Sequence, residues 1–581
     1  MKRPATMFDR DVALSALSDG SFDVVVVGGG ITGAGVALDA SSRGLRTALV
    51  ERGDFASGTS SKSSKMVHGG LRYLQQHDFG LVHQSLTERR LLLQNAAHLV
   101  EPLTLLVPLF GKGGVLDRAT ARGYSTALWM YDLAGGWRIG KRHHRITAEE
   151  LASHFPTLRT DALVAGFVYY DAWADDARLT LSVLRTAVLE HGAVALNYAP
   201  VVDLVHDGAS RVVGVKVAPV ADPRSGSSMT RSTRGDAAAD EIVVRAKVVV
   251  NATGVWADDL HHLDDASRPS SIRPAKGIHL TVARDKLPCD MATVLPVAQD
   301  RRAITVIPWD GHTYIGTTDT GYEGSLDDPR VEPGDISYVL NAVNEAVLSP
   351  IRPEDVTASW AGLRPLLAPH GRVPSERTAD LSRRHKVERS ASGLITITGG
   401  KLTTYRKMAE DTADAVCAEL GTTTARSRTK NLHLRGCEPP NPSQVRELAD
   451  RLGLGSDVVE HLRRRYGGET MAVLGLSIDR PELRARLVGG LDLLQAEVVY
   501  AARFEMATCV DDVLSRRTRA LLLDARAACA AAVRTSELLA DELGWDDGKK
   551  GEECAAFEAI GRHDLAAATS LSGGAVPGPG A

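Results

Sequence analysis

Gly28, Gly30 and Gly33 stand in the spacing G-x-G-x-x-G directly after the β-branched run Phe22–Val27. A glycine set of this kind holds a pyrophosphate. Gly28 permits the tight turn, Gly30 lets the backbone approach the phosphates, and Gly33 lets the following helix pack closely on the strand. The helix N-terminus adds N–H groups and a positive dipole end for the anion. Glu51 closes a second short strand, Thr47–Val50, where ribose hydroxyls need an acceptor. Strand, turn, helix, strand and acid in this order predict a dinucleotide-binding unit, which leaves FAD and NAD open because both present the same ADP half.

Further segments carry chemistry. Ser57–Lys65 is a run of hydroxyls and cations, Thr59, Ser60, Ser61, Lys62, Ser63, Ser64 and Lys65 among them, read as a loop over phosphates or a flavin ring. His68-Gly69-Gly70-Leu71-Arg72-Tyr73 puts a cation and a phenol beside a glycine pair. Val248–Gly254 is a strand stopping on Asn251-Ala252-Thr253-Gly254, suited to close approach of a backbone to a cofactor. Gly393–Gly400 runs from strand into a glycine pair, and Lys401–Arg406 opens a helix. Its N-terminus would face the pyrimidine edge of a flavin and stabilise the reduced, anionic ring. Together these segments argue for FAD over NAD.

The elements that must position these residues follow from composition and patterning. A chain of 581 residues exceeds one ordinary core, and two or three domains are expected. With 68 basic against 72 acidic side chains the net charge is -4, which gives no global field for nucleic acid or an anionic membrane. The six cysteines stand far apart, without a C-x-x-C pair, and His433 beside Cys437 is too little for a metal set. A reduced cytosolic protein with no metal follows. Acids interrupt any signal-peptide core, and Val24–Leu38 falls short of the roughly 20 residues of a membrane span. Helical periodicity is expected over Leu81–His98. Residues 99–145 mix Trp129, Tyr131 and Trp137 with arginines and Lys141, a pattern of ordinary domain faces and also of membrane interfaces. Strands recur over 194–251 and 278–316, and this middle region reads as an antiparallel sheet. Ala221–Asp240 reads as a flexible hairpin loop. Beyond Pro439 the pattern turns helical, over Val445–Tyr466 and Leu494–Leu543, and the Gly/Pro-rich end reads as a disordered tail.

On these motifs, with Asp175–Leu179, Ile315–Asp319, Gly362–Leu366, Glu497–Tyr500 and Ser515–Arg519, the chain resembles the FAD-dependent, quinone-linked glycerol-3-phosphate dehydrogenases. The resemblance covers residues 20–410 and extends to the helical C-terminal region. It implies an α/β + α fold, with a Rossmann-like FAD-binding domain of the two-dinucleotide-fold flavoprotein type, an antiparallel-sheet substrate domain and a C-terminal all-helical domain. The expected boundaries are an arm over 1–20, an FAD domain from 21–98, 160–210, 241–260 and 355–415, a substrate domain from 99–159, 211–240 and 261–354, helices over 430–560 and a tail over 561–581.

By resemblance, Arg72, Tyr73, His279, Thr318, Arg364, Arg383 and Lys401 line the substrate pocket. Arg364 meets the substrate oxygens, and Arg383 and Thr318 hold the phosphate. His279 is the leading base for the C2 hydroxyl proton while the C2 hydride passes to the flavin, its ordinary pKa suiting proton transfer near neutrality. Lys401 is the alternative base or a stabiliser of the developing alkoxide. The implied cofactor contacts are Gly28, Gly30, Gly33, Glu51 and Arg52; Thr59, Ser60, Ser61, Ser64, Lys65 and Gly69; Val201 on the adenine; Ala252, Thr253 and Gly254; and Gly400, Lys401, Leu402 and Thr403 at the pyrimidine edge. The reaction implied is oxidation of sn-glycerol 3-phosphate to dihydroxyacetone phosphate, with electrons passed to a membrane quinone from the inner face of the cytoplasmic membrane. An oxygen-reducing oxidase on the same fold is the nearest rival, and the short run between His279 and Pro308 leaves little room for the insertion those relatives carry. A flavin amino-acid oxidase is a further rival. The C-terminal helices read as a cap on the body, with a homodimer as one arrangement they allow and nucleic-acid binding not expected.

Overall fold

The structure is a computed structural model, and it describes residues 8–71, 78–111, 118–220, 241–297, 302–367, 384–422 and 426–573. Two sheets organise it. The first has eight strands. Ser21–Val27 lies between Thr47–Val50 and Ile242–Asn251, all parallel, with Val194–Leu196 beyond one side and Ile395–Thr398 beyond the other. Its centre is Val24, Val25 and Val26 against Val248, Val249 and Val250, all buried. This is the continuous β-branched run that a parallel strand covered on both faces requires. The helix Ile31–Ser42 packs on it with Ile31, Val36 and Leu38 among small residues, and a Cβ on Gly35 would stand 2.9 Å from the Tyr405 ring of the crossing helix Tyr405–Glu419.

The second sheet has ten strands, mostly antiparallel. Ile272–Ala283 pairs with His312–Gly316 on one side and with Val356–Leu367 on the other. Ala303–Trp309, Ala292–Pro296, Val100–Phe110 and Leu163–Ala174 continue the sheet outward.

Several expected boundaries move. Leu163–Ala174 and Val356–Leu367, assigned above to the FAD domain, belong to the antiparallel sheet, while Val212–Val217, assigned to the substrate domain, pairs with Ile242–Asn251 in the first sheet. Strand pairing is a long-range property that local patterning does not reveal. Likewise the strands over 194–251 join the first sheet, where Val201–His206, Val212–Val217 and Ile242–Asn251 pair antiparallel, and within the middle region only the strands from Ile272 onward join the second. The arm contains a helix, Arg10–Asp19, capped by Asp9 and sealed by Phe8 and Leu17. The tail is helical through Ser572: Asp547–Ser572 is one helix whose Ala567 and Ala568 lie in the same core as Ile278, Leu280 and Val339. Ala221–Asp240 and the last eight residues lie outside the described residues. Phe79–Asn95 forms the helix expected over Leu81–His98.

Single residues break the expected long C-terminal helices. Gly453, at φ +69°, ends Pro442–Leu452 before Ser456–Tyr466 begins. Past Gln495–Phe504 a π-helical turn, Asp512–Arg517, is followed by Arg519 at φ +67°. That turn aims two arginines at the loop after Thr47–Val50. The Arg517 guanidinium grips Asp54 with two bonds of 2.6 and 2.9 Å, and Arg516 Nε adds a third at 2.5 Å. Nearby, Arg178 pairs with Glu505 at 2.7 Å and Arg185 with Glu469 at 2.5 and 2.9 Å. Burial alone would raise the Asp54 carboxyl, but Arg517 and Arg516 outweigh it and hold it below the usual carboxylate range.

A depressed carboxylate contributes stability that is present above its unfolded pKa and lost as pH falls through the folded value. Asp54→Ala, which leaves two buried guanidiniums without this partner, is therefore expected to cost about 3–5 kcal/mol at neutral pH. In urea titrations, wild-type stability should fall toward the variant's as the pH drops below about 4.

Candidate functional site

The glycines of the first turn work by exclusion. Gly28 sits at φ +113°, and a Cβ there would stand 2.6 Å from the Ala252 carbonyl oxygen, so the turn presses on the Asn251–Gly254 segment. A Cβ on Gly33 would lie 1.8 Å from the Gly28 carbonyl, and one on Gly30 3.1 Å from Ser60 Oγ. The Ile31 N–H at the helix start donates to Ser60 Oγ at 2.9 Å, which draws the hydroxyl-rich loop onto the helix N-terminus. Glu51 accepts from the Gly29 N–H at 2.6 Å and the Gly53 N–H at 2.8 Å, leaving a lone pair on each oxygen for a ribose hydroxyl, while burial raises its pKa. Thr253 Oγ1 donates to Asn251 Oδ1 at 2.7 Å, and Gly254 at φ +64° faces open space. A cradle that a Cβ would fill, at a helix N-terminus and beside a ribose acceptor, fits the pyrophosphate and ADP half of FAD.

The other expected cofactor residues divide. Gly399 and Gly400, at φ +73° and +82°, lead into the turn Leu402–Thr404, where Thr403 Oγ1 accepts from the His68 N–H at 3.0 Å. That bond brings the helix start to the segment carrying Gly69, whose N–H donates to the Tyr131 hydroxyl at 2.9 Å. Thr59 Oγ1 donates to the Leu363 carbonyl at 2.6 Å, and Ser61 Oγ to the Gly58 carbonyl at 3.3 Å. Val201 is half-buried against the first sheet's core. Arg52 stacks 4.2 Å over Trp256 and pairs with Asp327. Lys65 departs from expectation. Its ammonium is sealed from solvent, 3.2 Å from Asp176 and 5.1 Å over each of the Trp309 and Trp360 rings. Burial, with Arg519 nearby, pulls its pKa down to about 8. A side chain so placed contacts the protein's interior and not a cofactor.

The antiparallel sheet supplies the reactive face. On Ile272–Ala283 the residues Ala275, Gly277 and His279 share one face, and their partners on Val356–Leu367 are Arg364, Gly362 and Trp360. Each glycine makes room for something. Beside Gly277 the Arg364 guanidinium folds across the strand, since a Cβ there would lie 2.4 Å from Nη2; it reaches Thr317 Oγ1 and the Thr318 carbonyl at 3.2 Å each and Asp319 at 3.3 Å. Beside Gly362 passes the Lys62 carbonyl of the hydroxyl-rich loop, and beside Gly316 the His279 ring. The imidazole stacks on Trp360 at 4.9 Å, and its Nε2 lies 2.9 Å from Ser64 Oγ. Burial, then the cations Lys65 and Arg364, push its pKa well below 6.5. Thr318 Oγ1 accepts from the Ile278 N–H at 3.1 Å. Lys401 lies near Asp78, whose carboxyl Arg384 holds below its usual range. The structure thus gathers His279, Arg364, Thr318 and Ser64 between one sheet face and one loop. Arg72, Tyr73 and Arg383 lie outside the described residues.

Asp176, Arg519 and Trp360 have no site role in the sequence analysis; Asp175–Leu179 and Ser515–Arg519 stand there only among the motifs that carry the resemblance.

Residues 23–406 match the model of a family described as FAD dependent oxidoreductase, and residues 427–550 that of the C-terminal domain of alpha-glycerophosphate oxidase. Glycerol-3-phosphate dehydrogenase 2 of Mycobacterium tuberculosis is 39% identical over 554 residues, covering 95% of this chain and 90% of that protein. Human mitochondrial glycerol-3-phosphate dehydrogenase is 38% identical over 558 residues, 94% of this chain and 74% of that protein. Among solved structures, the glycerol-3-phosphate dehydrogenase from Bacillus halodurans complexed with FAD is 32% identical, with a TM-score of 0.76 over 96% of this chain and 98% of that one.

Gly33→Ala is expected to abolish FAD retention, because the added methyl displaces the Gly28 carbonyl and with it the turn. The purified variant should lack the visible flavin absorbance expected of the wild-type protein.

Proposed function

The chain belongs to the family of FAD-dependent glycerol-3-phosphate dehydrogenases, and on that premise we propose that it oxidises sn-glycerol 3-phosphate to dihydroxyacetone phosphate and passes the electrons to a membrane quinone. The observation that carries the reading is the pairing of Arg364 and His279 on one face of adjacent strands, beneath a loop that is itself tied to the dinucleotide cradle through Ser60. FAD, when bound, supplies the acceptor for the hydride leaving C2. Gly28, Gly30, Gly33 and the start of the helix Ile31–Ser42 would hold its pyrophosphate, Glu51 its ribose, and the Gly400–Thr403 turn its pyrimidine edge.

The rest falls to the chain's own side chains. Arg364 stays charged and presents paired donors, which suits a dianionic phosphate ester or the oxygens beside it. Thr317, Thr318 and Asp319 fix its fork before substrate arrives, so little orientation is left to lose on binding. Arg383, Arg72 and Tyr73 complete the anion site in this proposal. His279 takes the C2 hydroxyl proton. A pKa held well below 6.5 keeps the ring neutral at working pH, as a proton acceptor must be, and Nε2 is the ring atom with a polar neighbour. An anionic substrate offsets the Arg364 charge and so raises the ring's basicity in the complex. Lys401 steadies the alkoxide as it develops.

Quinone reduction requires a membrane. Among the described residues no helix is long and apolar enough to cross one. The helix Arg118–Leu133 instead leaves Trp129 50% and Leu133 77% exposed, and in the following segment, whose His143 ring lies 5.1 Å from that of Trp129, Lys141, Arg142 and Arg145 are exposed as well. Aromatic and aliphatic tips next to cations suit the headgroup boundary of an anionic bilayer, and we assign this face to peripheral attachment at the inner side of the cytoplasmic membrane.

Anaerobic addition of sn-glycerol 3-phosphate should bleach the flavin absorbance of the wild-type protein. Arg364→Ala should need about a hundredfold more substrate, as befits a lost charged contact of roughly 1.5–3 kcal/mol; a yellow protein that never bleaches sinks the substrate assignment. In a flotation assay the wild-type protein should rise with vesicles containing an anionic lipid, and Trp129→Glu/Leu133→Glu should stay below while still bleaching.

A further inference from the structure

We propose that Asp176 and Arg519, which meet across the boundary between the dinucleotide-binding unit and the C-terminal helices, are positioning residues for His279, and that they act through Lys65. The proposal rests on the reading of His279 as the base.

The contacts form one buried chain. Asp176 begins the helix Asp176–Leu189 and is sealed from solvent. Its Oδ1 accepts from Arg519 Nη2 at 2.9 Å, Lys65 Nζ at 3.2 Å and the Ala177 N–H at 3.0 Å, and its Oδ2 accepts from the Ser63 N–H at 2.9 Å. Arg519, equally buried, also donates to the Ser61 carbonyl at 2.5 Å and stands 3.4 Å from Asp175. The loop is therefore gripped at Ser61, Ser63 and Lys65, on both sides of Ser64. Ser64 in turn meets His279 Nε2 through its hydroxyl, and its carbonyl accepts from the Tyr314 hydroxyl at 2.9 Å. Lys65 lies over Trp360, the ring on which His279 stacks.

The three charged residues are fully buried and spend their hydrogen bonds on one another and on the loop backbone. Stability does not account for them, because a buried ion pair replaced by apolar groups of similar volume is often as stable or more so. What the cluster does supply is a fixed cation beside the base. The charged groups facing His279 are Lys65 from the loop and Arg364 from the neighbouring strand, with Tyr314 and Trp360 as uncharged neighbours. Lys65 faces Asp175 and Asp176, which favour its charge, and Arg519, which opposes it. Asp176 thus favours the charge on Lys65, and charged Lys65 adds to the burial that disfavours protonation of His279.

The test is the pH dependence of kcat/KM for the FAD-loaded full chain, with flavin absorbance per chain confirming that each variant is folded. The wild-type acid limb should lie well below pH 6.5. Lys65→Met leaves Asp176 paired with Arg519 and so keeps the fold, yet removes one repelling cation; protonation of His279 then begins at higher pH, and the limb should move up by about one unit. Asp176→Asn and Arg519→Gln leave Lys65 charged at the acid pH of the limb, since its pKa lies near 8 in the wild-type protein; in both, the limb should not move up, while kcat falls as the loop loses its grip at Ser61, Ser63 and Lys65. A limb unmoved in Lys65→Met, or an upward-shifted limb or an unchanged kcat in Asp176→Asn or Arg519→Gln, would each overturn the proposal. An acid limb that persists in His279→Gln would instead remove the base assignment itself, so the two failures are told apart.

Discussion

Asp54, Asp175 and Asp176 are carboxylates withdrawn from water, and each is matched by an arginine from the far end of the chain. An isolated buried charge costs several kcal/mol, and pairing restores that cost only when the geometry is close. The consequence is mutual dependence. The loop after Thr47–Val50 and the turn after Leu163–Ala174 carry acids they cannot bury alone, the segment Arg516–Arg519 carries guanidiniums it cannot bury alone, and docking the C-terminal helices satisfies both. Such an ion layer adds little net stability over apolar packing but tolerates a single arrangement, because a shift of one residue in the turn would leave a charge without its partner. The same layer fixes the loop over the antiparallel sheet, so the reactive face inherits its geometry from a contact outside it.

The reactive face itself is shaped by missing side chains. Gly277, Gly316 and Gly362 occupy neighbouring positions on three adjacent strands, and each clears the space that Arg364, His279 or the Lys62 backbone fills. Strand glycines normally weaken a sheet. Here the loss is recovered locally: Trp360 stacks on His279, and Arg364 is held by three groups of the segment Thr317–Asp319. A charged fork and an imidazole are thereby stored flat against the sheet, with rotamers set before any ligand enters.

The dinucleotide cradle was legible in the sequence because each of its requirements is local. A turn needing positive φ takes Gly28, a helix packed to contact takes Gly33, and an acid follows at the end of the next strand. The identity of His279 and Arg364 as neighbours came through resemblance; only register shows that they share a face, since strands expose alternate residues and a slip of one position would turn either away. Sheet membership was misread for Leu163–Ala174, Val212–Val217 and Val356–Leu367 for the same reason. Lys65 was misplaced because a lysine in a hydroxyl-rich loop looks solvated until the tryptophans and the aspartate that enclose it, more than a hundred residues on, are known. The helix through Ser572 escaped notice because its alanines and Gly561 gave it a weak apolar stripe. Their smallness is the point: Gly561 lets the helix pass Cys529, where a Cβ would lie 2.3 Å from Sγ.

That last helix has a consequence for how the protein is made. Ala567 and Ala568 complete the core beneath Ile278, Leu280 and Ile315, and Ser359 of the strand beside His279 bonds the Asp564 carbonyl. The strands bearing His279 and Arg364 are synthesised hundreds of residues earlier, yet they have no finished floor until the ribosome has passed residue 568. During translation the dinucleotide-binding sheet also waits, for Ile395–Thr398 at one side and for Arg516 and Arg517 at its loops. Growing chains of this protein therefore carry open apolar surface for most of their synthesis, the condition under which partly made chains are prone to aggregate.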